Sequence, residues 1–252
     1  AALWIQEPSH APASGKAAAP GRAGPSAPGP LRDRQAWRMA AGIGILCAPQ
    51  FAVLSFGMVF LHDHAHLGLG MAAAVMSVVQ LASMALRICS GRWTDRRQNR
   101  PAFLRACCQL TLALFAGMAA LSWSSHPGAS AVSPAMGLVL MVMLGVCGIC
   151  VSAWHGVAYT QLAGLAGAAR AGTALGMANT SVFAVCFLVP LAIPHLLSAQ
   201  GWGLVWACAA ACAGWAMHLF ARAGAAGNPG ATQGALLNEN TGCLPTASSH
   251  RP

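Results

Sequence analysis

Long apolar runs alternate with short polar joints six times between Met39 and Ala221. The runs cover residues 39–61, 69–90, 106–123, 134–155, 173–194 and 201–221. Each approaches or exceeds the ~18 to 20 apolar residues that cross a ~30 Å hydrocarbon core. Backbone polar groups inside lipid must be satisfied within their own segment, so the runs predict six transmembrane helices. The joints alternate in character. Those at 62–68, 124–133 and 195–200 hold no Lys or Arg, whereas the others are basic.

This asymmetry predicts orientation, because short loops rich in Lys and Arg stay on the cytoplasmic side. Lys16, Arg22, Arg32, Arg34 and Arg38 precede the first run, and Arg92, Arg96, Arg97, Arg100 and Arg105 separate the second from the third. Arg170 lies between the fourth and fifth, and Arg222 and Arg251 follow the sixth. Of the fourteen basic residues, only Arg87 falls inside a run. Both termini are expected in the cytoplasm. Composition agrees with a membrane chain: 8% of residues are charged and 56% hydrophobic, against about one quarter charged in soluble domains. The net charge of +9 does not point to nucleic acid, since the arginines form no basic face and no base-stacking aromatic pattern accompanies them.

Residues 8–30 are dense in Pro, Gly, Ala and Ser and read as a flexible linker. Residues 223–252 read as a disordered tail. Nine of the ten cysteines lie in or beside apolar runs, as small packing groups. Cys147 and Cys150 form a C-x-x-C, but no second pair at metal spacing accompanies it, so no metal and no cofactor are expected. A constellation of nucleophile, base and orienting group is also missing, which argues against an enzyme. A Gly-rich phosphate loop ending in Lys-Ser/Thr is absent, which argues against ATP-driven transport by this chain.

Between the second and third runs stands Gly91-Arg92-Trp93-Thr94-Asp95-Arg96-Arg97-Gln98-Asn99-Arg100. It resembles the major facilitator superfamily signature Gly-x-x-x-Asp-[Arg/Lys]-x-Gly-[Arg/Lys]-[Arg/Lys], which lies between helices 2 and 3 and, in weaker form, between helices 8 and 9. Gly91, Asp95, Arg96 and Arg100 match, while Gln98 replaces a Gly and Asn99 a basic residue. The run from Trp154 to Tyr159 looks like the end of helix 10, and that from Gly172 to Thr180 like the start of helix 11, in bacterial members. The resemblance covers residues 31–222. It implies an all-α integral membrane half bundle, helices 7 to 12, built as two three-helix repeats. Residues 1–30 would then be the end of helix 6 and the central cytoplasmic linker. The implied function is alternating-access transport of a small organic solute across a bacterial inner membrane, with an N-terminal six-helix half as partner. A non-transporting scaffold or a transporter remnant is the alternative.

The resemblance implies a gating role for the motif, with a purely topogenic loop as the alternative; Gly91 permits a tight exit from the second run, Asp95 can accept from helix N-termini, and the arginines can pair with carboxylates. Solute is expected near mid-membrane between repeats. Polar groups at that depth are Gln50 beside Pro49, Gln80 on the face shared by Ser77, Met84 and Arg87, His155 on the stripe Gly145, Gly148, Ser152, His155 and Tyr159, and Asn179 on the face of Gly172, Gly176 and Phe183. For Gln50 and Asn179 a helix-to-helix hydrogen bond competes with solute contact, and for His155 a packing or interfacial role does. Arg87 can snorkel to the cytoplasmic end, which favours a structural or gating use, with solute contact as the alternative, and Gly172-x-x-x-Gly176 is expected to pack closely on another helix. No Asp or Glu lies in any run, so proton coupling would fall to a histidine, which titrates near neutrality.

Overall fold

The computed structural model describes residues 29–125 and 133–225, and all regular structure among them is helical. Most of the expected linker and tail, and part of the joint at 124–133, lie outside the described residues. Helix α1 (Arg34–Val59) starts at an Asp33 cap that accepts from the Gln35 amide at 2.8 Å, and it continues through a π-helical turn, Phe60–His64. Helices α2 (Leu69–Arg97) and α3 (Arg100–Ser124) follow. A Ser133 cap opens α4 (Pro134–Cys150), which leads into α5 (His155–Ala166) and then α6 (Ala171–Ala225). Among the described residues, five helical units are long and apolar enough to cross a membrane.

The last of these units, 56 residues, would be about 84 Å long if straight, far more than one crossing. It does not run straight. Gln200 (φ −147°) and Gly201 (φ 70°, ψ −162°) leave the helical region, and glycine is the residue that adopts such a positive φ without steric cost. The two arms, 171–199 and 202–225, return along one another: Ala174 and Ala178 share a buried cluster with Ala213, Ala216 and Phe220, and Ile193 shares another with Val205 and Ala209. The fifth and sixth apolar runs lie on the two arms of this hairpin.

Helix α1 packs against both arms through two glycines on opposite sides. Gly42 meets the Phe220 ring of the second arm, and Gly44 meets Ser181 of the first so closely that a Cβ there would stand 2.8 Å from the Ser181 Cβ. At the bend end, Phe60 of the π-helical turn makes edge contacts with Trp202 and Trp206 (centroids 5.1 and 5.3 Å), and Phe115 of α3 joins them. At the opposite, arginine-rich end, the Gln35 side-chain amide donates to the Ala223 carbonyl, tying the start of α1 to the end of α6.

Three expectations need correction. The motif from Gly91 to Arg97 is not a loop but the last turns of α2, and Gly91 makes no tight exit. The turn falls at Gln98 (φ 52°), with Pro101 opening α3 behind it. Gly172 and Gly176 contact no other helix closely, so the small-residue pair there is open rather than packed.

Candidate functional site

The fourth apolar run is interrupted. Residues 151–154 form turns between α4 and α5, and their backbone lies in the interior: Val151, Ser152, Ala153 and Trp154 are all buried. Carbonyls freed by such a break need donors, because a buried polar group left unpaired is costly. Helix α2 supplies them from one face. The Ser83 hydroxyl reaches the Gly148 carbonyl at 3.4 Å, Arg87 Nε the Ser152 carbonyl at 3.2 Å, and the Ser90 hydroxyl the Ala153 carbonyl at 2.8 Å. Ser152 itself donates to the Gly148 carbonyl at 3.0 Å. Arg87 therefore does not snorkel away from the interior. Its position is set by the break.

Around this point several expected residues come together. His155 begins α5, with Trp154 before it (ring centroids 4.3 Å) and Tyr159 one turn later, stacked at 5.8 Å. The Tyr159 hydroxyl donates to Asn179 Oδ1 on the first arm of α6 at 2.9 Å. Arg87 is close enough for its charge to act on His155 and on Cys47 of α1, and Cys47 lies beside Cys186 of α6. Gln50 stands between Cys47 and Val53 on α1, and Val53 approaches Gly148. Gln50 is 4% exposed, and its Oε1 has no hydrogen-bond partner. The Trp154 Nε1 and His155 Nδ1 are likewise buried without partners.

Four elements thus converge: α1, α2, α5 and the first arm of α6. Gln80 is exposed on α2, and no side-chain hydrogen bond joins it to this group among the described residues. Ser83 and Ser90 were not singled out from sequence, although their spacing with Arg87 (i, i+4, i+7) marks one helical face. Beside the site the surface is open and apolar: Val78, Leu81, Met84 and Ile88 on α2, and Phe183, Phe187, Leu188 and Leu191 on α6, are exposed.

The motif residues Gly91, Asp95 and Arg96 lie about 6 to 14 Å along α2 from Arg87. Asp95 accepts from Arg100 Nη2 at 2.8 Å, bridging the α2–α3 joint, and the Gln98 side chain donates to the Asp95 carbonyl at 2.6 Å. Arg96 is exposed, and Arg97 stacks over Trp93 at 5.6 Å. Cys147 and Cys150 are free thiols, the first buried and the second half-buried.

Residues 1–190 match the family model described as Major Facilitator Superfamily. Two relatives described as uncharacterized MFS-type transporters, from Mycobacterium tuberculosis strains CDC 1551 / Oshkosh and ATCC 25618 / H37Rv, are each 24% identical to the chain over 171 residues. The match takes in 68% of this chain and 36% of each relative, so the chain spans little more than a third of the curated proteins it matches. No solved structure gives a significant match.

Proposed function

Because the chain belongs to the major facilitator superfamily, a family of multi-pass membrane transporters, we propose that it supplies helices 7 to 12 of an alternating-access carrier for a small organic solute. In this reading the two arms of α6 are separate crossings, giving six in all, and the arginine-rich end faces the cytoplasm of a bacterial cell. The partner is a second six-helix bundle, and the solute is held between the two. Gln50, Arg87, His155 and Asn179 contribute contacts from this half, with Gln80 further out on the α2 face.

The observation that carries the reading is the broken fourth helix. Carriers of this kind bind near the membrane midplane, where interrupted helices expose backbone and polar groups. Here the interruption lies about half-way along the unit Pro134–Ala166, and polar side chains from four elements gather on it. The open apolar faces of α2 and α6 flank the group and offer a second bundle a surface to rock against. Asp95 and Arg100 act as a latch at the cytoplasmic end, favouring one of two bundle arrangements.

Cells making the carrier, and cells lacking it, should differ in uptake of one class within a labelled panel of sugars, amino acids, carboxylates and organic cations. Asp95→Asn should abolish most of that difference at normal protein abundance, because it removes the latch and leaves the helices intact. Identical uptake across the whole panel would remove transport as the function.

A further inference from the structure

Arg87 is the only formal charge in the middle of the helical bundle, and it has no counter-ion among the described residues. The acids between the first and last crossings are Asp63 and Asp95, and both stand at helix ends: Asp63 lies 4.0 Å from His62, and Asp95 is paired with Arg100. A guanidinium carries five N–H donors. Among the described residues only Nε is engaged, on the Ser152 carbonyl, and the two Nη groups are neither bonded nor sealed off from open space. A charge held at this depth without a partner marks a ligand pathway, since desolvating it costs several kcal/mol unless an anion or water answers it.

The neighbouring groups have the same sign of preference. Helix α5 begins at His155, so the positive end of its dipole and the N–H groups of its first turn lie at the break. The Trp154 Nε1 donor at this point is wholly buried and has no acceptor, and the buried His155 Nδ1 also has no partner. Acceptors freed by the break are already used by Ser83, Arg87 and Ser90. What remains around Arg87 is one positive charge and unpaired donors, with Gln50 Oε1 as the buried acceptor left without a partner there among the described residues.

We propose that the solute is an organic anion, whose carboxylate or phosphate group is held by the Arg87 Nη groups at the junction of α4 and α5, with the start of α5 as a second donor. The assignment rests on the transport reading above and names its substrate class. Fork-like pairing of a guanidinium with an oxyanion suits both groups. Ser152 acts as the positioning residue, because its carbonyl fixes the guanidinium through Nε and leaves the other nitrogens free.

The test reads the local field without knowing the solute. Asn179→Cys, in the carrier as the cell makes it but with its native cysteines replaced, is labelled with an anionic sulfonatoethyl and a cationic trimethylammonioethyl methanethiosulfonate. The ratio of the two rates, anionic over cationic, should fall about fivefold or more with Arg87→Gln and with Arg87→Met, and should stay near its starting value with Arg87→Lys. Two neutral variants guard against a folding defect in either. Acetate and inorganic phosphate should slow labelling when Arg87 is present and lose this effect in both neutral variants, whereas ethanol and ethylammonium should not slow it. The stronger of the two anions identifies the group as carboxylate or phosphate. An unchanged rate ratio, or anions that protect no better than ethanol, would overturn the anion assignment while leaving transport in place. If the thiol introduced by Asn179→Cys were inert to both reagents, no aqueous cavity would reach this point, and the transport reading would be removed as well.

Discussion

Gln98 turns the chain from α2 into α3 in the left-handed conformation (φ 52°, ψ 31°), a geometry that costs a residue with a Cβ about 1 to 2 kcal/mol. Its backbone N–H reaches the Thr94 carbonyl at 2.8 Å and its side chain the Asp95 carbonyl, so local bonds offset part of the strain. The position is also the one where the resembled signature has glycine, and the geometry explains that preference. Gln98→Gly should therefore raise stability by about 0.5 to 1 kcal/mol. Thermal unfolding of the purified protein in detergent measures this. Gln98→Val should move the midpoint the other way, and equal midpoints for all three would mean that the joint is not strained. The basic residues and the Asp were legible in the sequence as a cluster. Their secondary structure was not, because Thr, Asp and Arg carry no strong break signal and the glycine that suggested one sits within the helix.

The elements are held by close approaches whose consequences differ with what stands opposite. Gly42 and Gly44 lie two residues apart on α1, yet one faces the edge of a phenylalanine ring and the other faces both the side chain and the backbone of Ser181. A ring can rotate or slide, whereas helix backbone yields only if the whole first arm of α6 shifts. Gly44→Ala should cost about 1 to 3 kcal/mol through overpacking, and Gly42→Ala distinctly less. The two unfolding midpoints, compared at equal protein abundance, decide the matter, and a larger loss for Gly42→Ala would contradict the packing described. The broken fourth helix makes a second case. Ser90→Ala leaves the buried Ala153 carbonyl without its donor, an omission worth about 1 to 3 kcal/mol. That break was hidden in the sequence, since Val151, Ala153 and Trp154 are apolar and continue the hydrophobic run without a Gly or Pro. Four of the five polar and charged residues singled out within the runs gather around it all the same. The pattern of polar positions drew attention to these residues, and the backbone around which they gather became visible only in the fold.

At the scale of the whole molecule, the two ends of the bundle differ in chemistry as sharply as the joints do in sequence. The arginine-rich end collects the start of α1, the α2–α3 joint, the turn at Ala168–Arg170 and the end of α6, and the Gln35 bond to Ala223 places the first and last helices there together. The other end holds the π-helical turn, the aromatic contacts of Phe60 with Trp202 and Trp206, and the bend at Gln200 and Gly201. Aromatic side chains suit a membrane interface on either side, so they do not choose the orientation, whereas a one-sided excess of Lys and Arg does. Thirteen basic residues lie in one set of flanks and only Arg87 lies between them. Reporter fusions after Arg34, His126 and Arg222 should therefore read inside, outside and inside. The bend at Gly201 adds a sharper test, because it determines whether the arms of α6 are one crossing or two. A fusion at Ala199 should read outside if the arms cross separately, the same as at His126 and opposite to Arg222. An inside reading at Ala199 together with an inside reading at Arg222 would leave the hairpin unable to span, and the six-crossing arrangement would fall with it.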